Sequence, residues 1–303
     1  AAMYGDSEIR LHDFLQSHRD DVFLATKTRG RTADDASAEL ERSLEHMGID
    51  TVDLIQLHSL VEEDEWQTAF RDGGAVAALF AARDEGLVRH VGVTGHGLRI
   101  PKMHLRSLAE APFSSVLFPW SHAMTEQPEY VADVDRLTTH CHAEGIALQT
   151  IKAVARCRWH DTDPHFSWYE PLAPGDALRR AVEFVLADPR LFLNTTSDAR
   201  LLPAIIEAAQ RFGGRAPDAA RRFVDNTPRR GRWPAKKKSR VKKSYRRMNL
   251  CGNIAWTFVS LHAVEPTRLR RQRRVDGVES PRCRADAATD FSPSRRWRGA
   301  PKI

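Results

Sequence analysis

The chain has 303 residues, with 46 Lys+Arg against 40 Asp+Glu, 42% hydrophobic residues and four cysteines. That length buries a large core without disulfide staples and admits one barrel-sized domain or two small ones. No apolar run of about 18 residues exists, which excludes a transmembrane helix, and the opening AAMYGDSEIR is not expected to be a signal peptide. The net charge of +6 averages two unlike segments. Residues 225–303 hold 22 Lys+Arg and 6 Asp+Glu, a net of +16, and residues 1–224 hold the remaining 24 and 34, a net of −10. An asymmetry of this size points to two different kinds of polypeptide. Cys141, Cys157, Cys251 and Cys283 form no CxxC pair, which suits free thiols in a reducing, cytoplasmic setting.

In chain order, a helical pattern at 7–17 precedes the first strand candidate, 22–28 (VFLATKT). Further strand candidates are 52–58 (VDLIQLH), 90–95 (HVGVTG), 115–120 (SVLFPW), 146–153 (IALQTIKA) and 191–196 (LFLNTT). Each is short and mostly apolar, as parallel strands buried on both faces are. Amphipathic stretches lie between them, at 33–47, 75–87, 101–111, 131–144, 176–187 and 201–212. The acidic run 62–65 reads as a solvated loop. From Leu24 to Leu191 the strands recur in five intervals of about 33 residues, the length of a strand-plus-helix repeat. Such units predict an α/β fold with a parallel sheet: a (β/α)₈ TIM barrel lacking its first two strands, or a six-stranded open sheet. No GxGxxG follows any strand, which argues against a dinucleotide-binding Rossmann domain.

In such a barrel the C-terminal strand ends carry the chemistry. Tyr4, Lys27 and His58 fall at such ends. A Tyr hydroxyl can protonate a developing alkoxide when a nearby ammonium lowers its pKa, and a His can orient the same carbonyl oxygen. This is machinery for carbonyl reduction with hydride from a cofactor. Each residue alone also suits a structural role.

Four segments carry a resemblance. AAMYGDSEIRLHDFL resembles the Tyr-Gly-x-Ser-Glu motif of the aldo-keto reductases, and LATKT resembles their strand bearing the catalytic Lys. SAELERSLEHMGIDTVDLIQLH and GLVRHVGVTGHG are similar to two further signatures of that family, and the similarity spans about residues 1–212. The resemblance, nearest to a divergent bacterial branch, implies a barrel that reduces aldehydes or ketones with NADP or NAD as cofactor. It makes Tyr4 the general acid, Lys27 its partner and His58 the substrate-orienting donor. The family's catalytic Asp would fall before Ala1. Its Ser-Asn pair reads Thr94-Gly95-His96 here, its sixth-strand Gln reads Leu117, and its nicotinamide-stacking Tyr reads Trp120. Thr94 and Trp120 are thus expected beside the nicotinamide. Lys152, Thr195, Thr196, Ser197 and Arg200 are expected near the cofactor phosphates, where barrels commonly hold them. Ser197 and Asp198 would equally serve as an ordinary helix cap.

The loop 156–174, with Trp159, His160, His165, Trp168 and Tyr169, suits a substrate wall or packing on the barrel rim. No metal site is expected in it. Beyond residue 212 the text turns basic and Pro/Gly-rich (KKK at 236–238, RLRRQRR at 268–274) with one apolar patch at 254–264. Residues 1–212 therefore read as the partial barrel and 213–303 as a basic, low-order extension. Three origins suit that extension: a reading frame lost near residue 213, a disordered tail, or an arm through 225–303 that binds nucleic acid. The runner-up function is an inactive barrel relic whose tail binds nucleic acid or another polyanion. The expected partner is otherwise a small carbonyl compound.

Overall fold

A computed structural model describes residues 1–212 and 254–255. The expectations for the rest of 213–303, including the nucleic-acid arm, Cys251 and Cys283, lie outside the described residues.

The chain enters through α1 (Ser7–His18) and a short 3₁₀ turn into β1 (Ala25–Thr28) and α2 (Ala33–Met47). Helix α2 shows why these residues form a helix. Thr32 caps it, its hydroxyl accepting from the Asp35 amide at 3.2 Å, and Asp34 and Asp35 face the positive end of the helix dipole. Ala36, Leu40, Leu44 and Met47 form one buried stripe. Gly48 ends the helix at φ 62°, a conformation that favours glycine.

Then come β2 (Val52–Leu57), α3 (Glu63–Phe70), α4 (Ala75–Asp84), β3 (Val88–Thr94) and α5 (Ile100–Glu110). They are followed by β4 (Ser115–Pro119), α6 (Pro128–Glu144), β5 (Ala147–Ile151), and a small antiparallel pair, β6 (Ala155–Cys157) with β7 (Glu170–Pro171). Last come α7 (Asp176–Leu186), β8 (Leu191–Asn194), α8 (Leu202–Arg211) and β9 (Ile254–Ala255). One parallel sheet runs β1-β2-β3-β4-β5-β8-β9. The two residues of β9, from the apolar patch at 254–264, add to its edge beside Leu193 and Asn194.

The sheet is curled. Gln56 on β2 donates to Gln149 on β5 at 3.0 Å. In a flat sheet strands three positions apart lie about 14 Å apart, so this bond spans the interior of a curved wall. Gly92 on β3 faces the same interior: a Cβ there would stand 2.2 Å from the Ser115 hydroxyl. The fold is therefore an incomplete (β/α)₈ barrel, with six strand-plus-helix units in the order the spacing predicts. Strand period two sets the layers. Gln56 and His58 face inward, while Ile55 and Leu57 join the apolar layer beneath the helices. Asp53 fastens the lower end, accepting from the Leu24 amide at 2.7 Å and pairing with Arg19 and Arg89 at 2.9 and 2.8 Å.

Two expectations are corrected. The acidic run 62–65 is no loop, since Glu63–Glu65 make the first turn of α3, where negative charge suits the helix dipole. Trp66 anchors that helix, buried with its ring stacked on Phe70 and its indole N–H donating to Ser107 at 2.9 Å. The first strand is shorter than 22–28 and starts at Ala25, because Arg19 and the 3₁₀ turn hold the preceding residues. Among the described residues no helix is long and apolar enough to cross a membrane.

Candidate active site

The turn before α1, strand β1 and the end of β2 bring Tyr4, Lys27 and His58 together. Tyr4 sits in a tight turn before α1, made possible by Gly5 at φ 57° and closed by the Tyr4 amide on the Ala1 carbonyl at 2.8 Å. Lys27, 8% exposed, projects from β1, and its ammonium lies 5.4 Å from the Tyr4 ring centre. His58 directly follows β2, with its ring centre 5.8 Å from that of Tyr4.

The electrostatics of this group differ in one respect from the sequence expectation. Burial pushes the Tyr4 hydroxyl up from its ordinary value, with no lowering by Lys27 to offset it. The phenol therefore stays protonated, which suits a proton donor. Burial alone brings Lys27 down to about 8, with no carboxylate to counter it. His58 is brought down to about 3, first by burial and then by the charges of Lys27, His96, Arg29 and Arg31. It is a neutral imidazole across the physiological range.

His96 belongs to the same cluster. Burial first, then Lys152, Lys27 and His104, bring it down to about 4. The Nδ1 atoms of His58 and His96 and the Oδ1 of Asn194, at the end of β8, are buried with no hydrogen-bond partner among the described residues. His96 and Asn194 both stand at or just past a strand end, the one sequence signal that points to them.

The remaining candidates divide. Thr94 is already engaged: its hydroxyl accepts from the Ser59 amide at 2.8 Å and donates to the Leu57 carbonyl at 3.2 Å. Trp120 follows β4 and packs its ring against Tyr130 and Phe184, on α6 and α7. Lys152, just past β5, adopts a left-handed backbone (φ 68°), and its ammonium lies 4.7 Å from the Tyr169 ring centre. Thr195, Thr196 and Ser197 are half-buried beyond β8. The cap of the turn that follows is Asp198, whose carboxylate takes the Arg200 amide at 3.1 Å and grips the Arg200 guanidinium at 2.8 and 2.6 Å. Arg200 also lies 4.1 Å from the Phe166 ring centre.

The loop 156–174 thus touches the rim at two candidates, through Tyr169 on Lys152 and Phe166 on Arg200. Inside it Trp159 stacks on His165 at 3.5 Å, and Trp168 is 65% exposed. Among the described residues no three His, Cys, Asp or Glu side chains are grouped to hold a metal ion.

The model of the Aldo/keto reductase family matches residues 1–161, more than half of the chain. Among solved structures, the chain is similar to a Pseudomonas aeruginosa protein assigned to the aldo-keto reductases. The two are 21% identical, with 68% of this chain and 74% of that one covered and a TM-score of 0.50. It also aligns with the holo form of an aldo-keto reductase from Bacillus halodurans, at 15% identity, 67% and 72% coverage and a TM-score of 0.46. An aldo-keto reductase of Bombyx mori, in complex with NADP, aligns at 17% identity, 66% and 69% coverage and a TM-score of 0.45. At 21% identity the first of these likenesses speaks for the fold alone. No curated protein matches the chain.

Proposed function

The chain belongs to the aldo/keto reductase family, a family of oxidoreductases acting on carbonyl substrates, and on that premise we propose that it reduces an aldehyde or ketone with a nicotinamide cofactor, using Tyr4, Lys27 and His58. The observation that carries this reading is the convergence of these three side chains, from the turn before α1, from β1 and from just past β2, at ammonium-to-ring and ring-to-ring separations of 5.4 and 5.8 Å.

A bound NADPH or NADH supplies the hydride that goes to the carbonyl carbon. The Tyr4 hydroxyl delivers the proton to the carbonyl oxygen. Lys27, still an ammonium at neutral pH, stabilises the phenolate that Tyr4 becomes, so its charge acts on the product of proton transfer. The neutral His58 ring donates a hydrogen bond to the same oxygen and holds it towards Tyr4.

The rim also fits a nicotinamide. Its carboxamide offers one acceptor and two donors, and the partnerless Nδ1 of His96 and Oδ1 of Asn194 complement them. Thr94 and Trp120 would flank that group. Lys152 with Thr195, Thr196, Ser197 and Arg200 would receive phosphate oxygens, the Arg200 charge being shared with Asp198.

Titration of NADPH fluorescence, followed by the loss of nicotinamide absorbance with an aromatic aldehyde, tests the reading. Tyr4→Phe is expected to slow reduction by about 10²–10⁴-fold with cofactor affinity unchanged. Reduction that survives Tyr4→Phe would remove Tyr4 from the role of acid. Absence of nicotinamide binding together with salt-sensitive binding to DNA would overturn the enzyme reading altogether.

A further inference from the structure

The end of β2 is held far more tightly than a loop needs. The His58 amide donates to the Thr28 carbonyl at 2.8 Å, and the Leu60 amide to the Thr94 carbonyl at 2.9 Å. Between them Ser59 is forced into the left-handed region at φ 52°, and its amide is caught by the Thr94 hydroxyl. A non-glycine residue in that region persists only where its surroundings over-determine it.

The carbonyls of this turn are claimed by one side chain. Arg31, from the loop between β1 and α2, donates through Nη2 to the His58 carbonyl at 2.8 Å and reaches the Ser59 carbonyl at 3.4 Å. Its Nε and Nη2 also hold the Glu65 carboxylate on α3, at 3.0 and 2.7 Å. The Arg31 backbone is fixed in turn, its carbonyl accepting from the Ala75 amide at 2.9 Å. The guanidinium is only 12% exposed, and its Nη1 is buried with no acceptor among the described residues. Burying an arginine with a donor left over is unfavourable, and a fork this specific is retained for what it positions.

We infer that the Arg31–Glu65 pair is the positioning device for His58, fixing the turn that carries the imidazole towards Tyr4 and standing as a positive charge behind it. This rests on the reading of His58 as the carbonyl-orienting donor. Arg31 touches the backbone of the turn and so acts through His58. The groups that face the imidazole are Tyr4 from the turn before α1, Lys27 from β1, Arg29 and Arg31 from the loop after β1, and His96 from beyond β3. Every charged group that acts on it is cationic or a histidine, and Glu65 offsets only Arg31. Removing Arg31 therefore frees the turn and lets the ring take up a proton more readily.

The experiment is a double-mutant cycle between Arg31→Met and His58→Gln, with Arg31→Lys and Glu65→Gln alongside, read in two ways. In the first, kcat and KM for an aromatic aldehyde are measured with NADPH. Arg31→Met is expected to lower kcat by about ten- to a hundredfold, the cost of a misplaced group, with little change in cofactor KM. Arg31→Met/His58→Gln should be no slower than His58→Gln, and Arg31→Lys should restore part of the loss. In the second, the onset of His58 ring protonation is followed by NMR without cofactor, over the pH range in which circular dichroism shows the fold intact. That onset should move to higher pH in Arg31→Met.

Losses that multiply in the double mutant, or an onset of His58 protonation that stays where it is in the parent, would overturn the inference. If Arg31→Met does not fold, Glu65→Gln carries the kinetic expectation at smaller size, since it leaves the guanidinium but unties it; by removing the anion that offsets Arg31 it should move ring protonation the other way, to lower pH. If His58→Gln is as fast as the parent, the role of His58 has failed, and the ring titration still decides whether Arg31 positions it.

Discussion

Lys27 shows what a candidate site residue costs the fold. No carboxylate among the described residues pairs with its ammonium, and burial brings it from an ordinary 10.5 down to about 8. Below pH 8 the group is charged in both folded and unfolded chains, so the whole penalty of burying a charge is present. Between pH 8 and 10.5 the folded state sheds its proton first, and the penalty fades. Lys27→Met, which keeps the length of the side chain, is therefore expected to stabilise the protein at pH 7 by about 3 kcal/mol. The gain should vanish by about pH 10.5, while aldehyde reduction is lost. Urea midpoints at pH 7 and pH 10 measure this, and a variant less stable than the parent at pH 7 would show that Lys27 has a stabilising partner. As candidates, Lys27 and His58 were legible in the sequence because they stand on and just past strands, which follow from hydrophobic period, and Tyr4 because of the Tyr-Gly-x-Ser-Glu pattern around it. Arg31 was not legible: its contacts are to backbone carbonyls and to a carboxylate 34 positions away, and no local pattern encodes either. His96 was not legible either, because its company of Lys152 and Lys27 exists only once the sheet is curled.

Among the elements, strands and long helices were legible and the units inserted between them were not. The six strand-plus-helix repeats announce themselves by spacing, and α2 by its cap, stripe and terminal glycine. Helix α3 escaped because Glu62–Glu65 reads as solvated text when only charge is considered. What decides it is Trp66, which lies in a three-sided contact with Phe70 at 4.2 Å, the Arg106 guanidinium at 3.6 Å and the Ser107 hydroxyl. Trp66→Ala is expected to cost about 3–5 kcal/mol by cavity formation and by leaving Ser107 without this donor. Because α3 also carries Glu65, the same substitution should weaken the grip on Arg31. Chemical denaturation gives the first effect, and the His58 ring titration gives the second. A variant that loses less than about 1 kcal/mol would mean that α3 is only loosely docked. The pair β6 and β7 escaped for a simpler reason, since strands of three and two residues carry no period to detect.

For the whole molecule the net charge of +6 is a poor guide, because residues 1–224 sum to −10 while the charged side chains acting on His58 are Lys27, Arg29 and Arg31. Buried histidines set the acid limit of the fold. His58, His96 and His104 are brought down by burial to about 3, 4 and 4, so the folded chain holds all three neutral. For His104 the tautomer is fixed: Nε2 donates to the Leu117 carbonyl at 2.9 Å, and Nδ1 is bare and buried. In the unfolded chain these rings titrate near 6.5. As pH falls below that value the unfolded state binds up to three more protons than the folded one, and stability drops towards acid. The slope approaches about 4 kcal/mol per pH unit, three times the value for one proton. A domain near the low end of the usual range of about 5–15 kcal/mol is therefore expected to pass its unfolding midpoint near about pH 5, and one near the high end to stay folded below about pH 4. His104→Gln keeps an N–H for the Leu117 carbonyl and removes one proton site. It should flatten the slope by about a third between pH 6.5 and 4.5. Denaturant titrations at half-unit pH steps measure both slopes. A parent whose stability is level from pH 7 to pH 4.5, or a His104→Gln slope equal to that of the parent, would mean that these rings reach water in the folded protein.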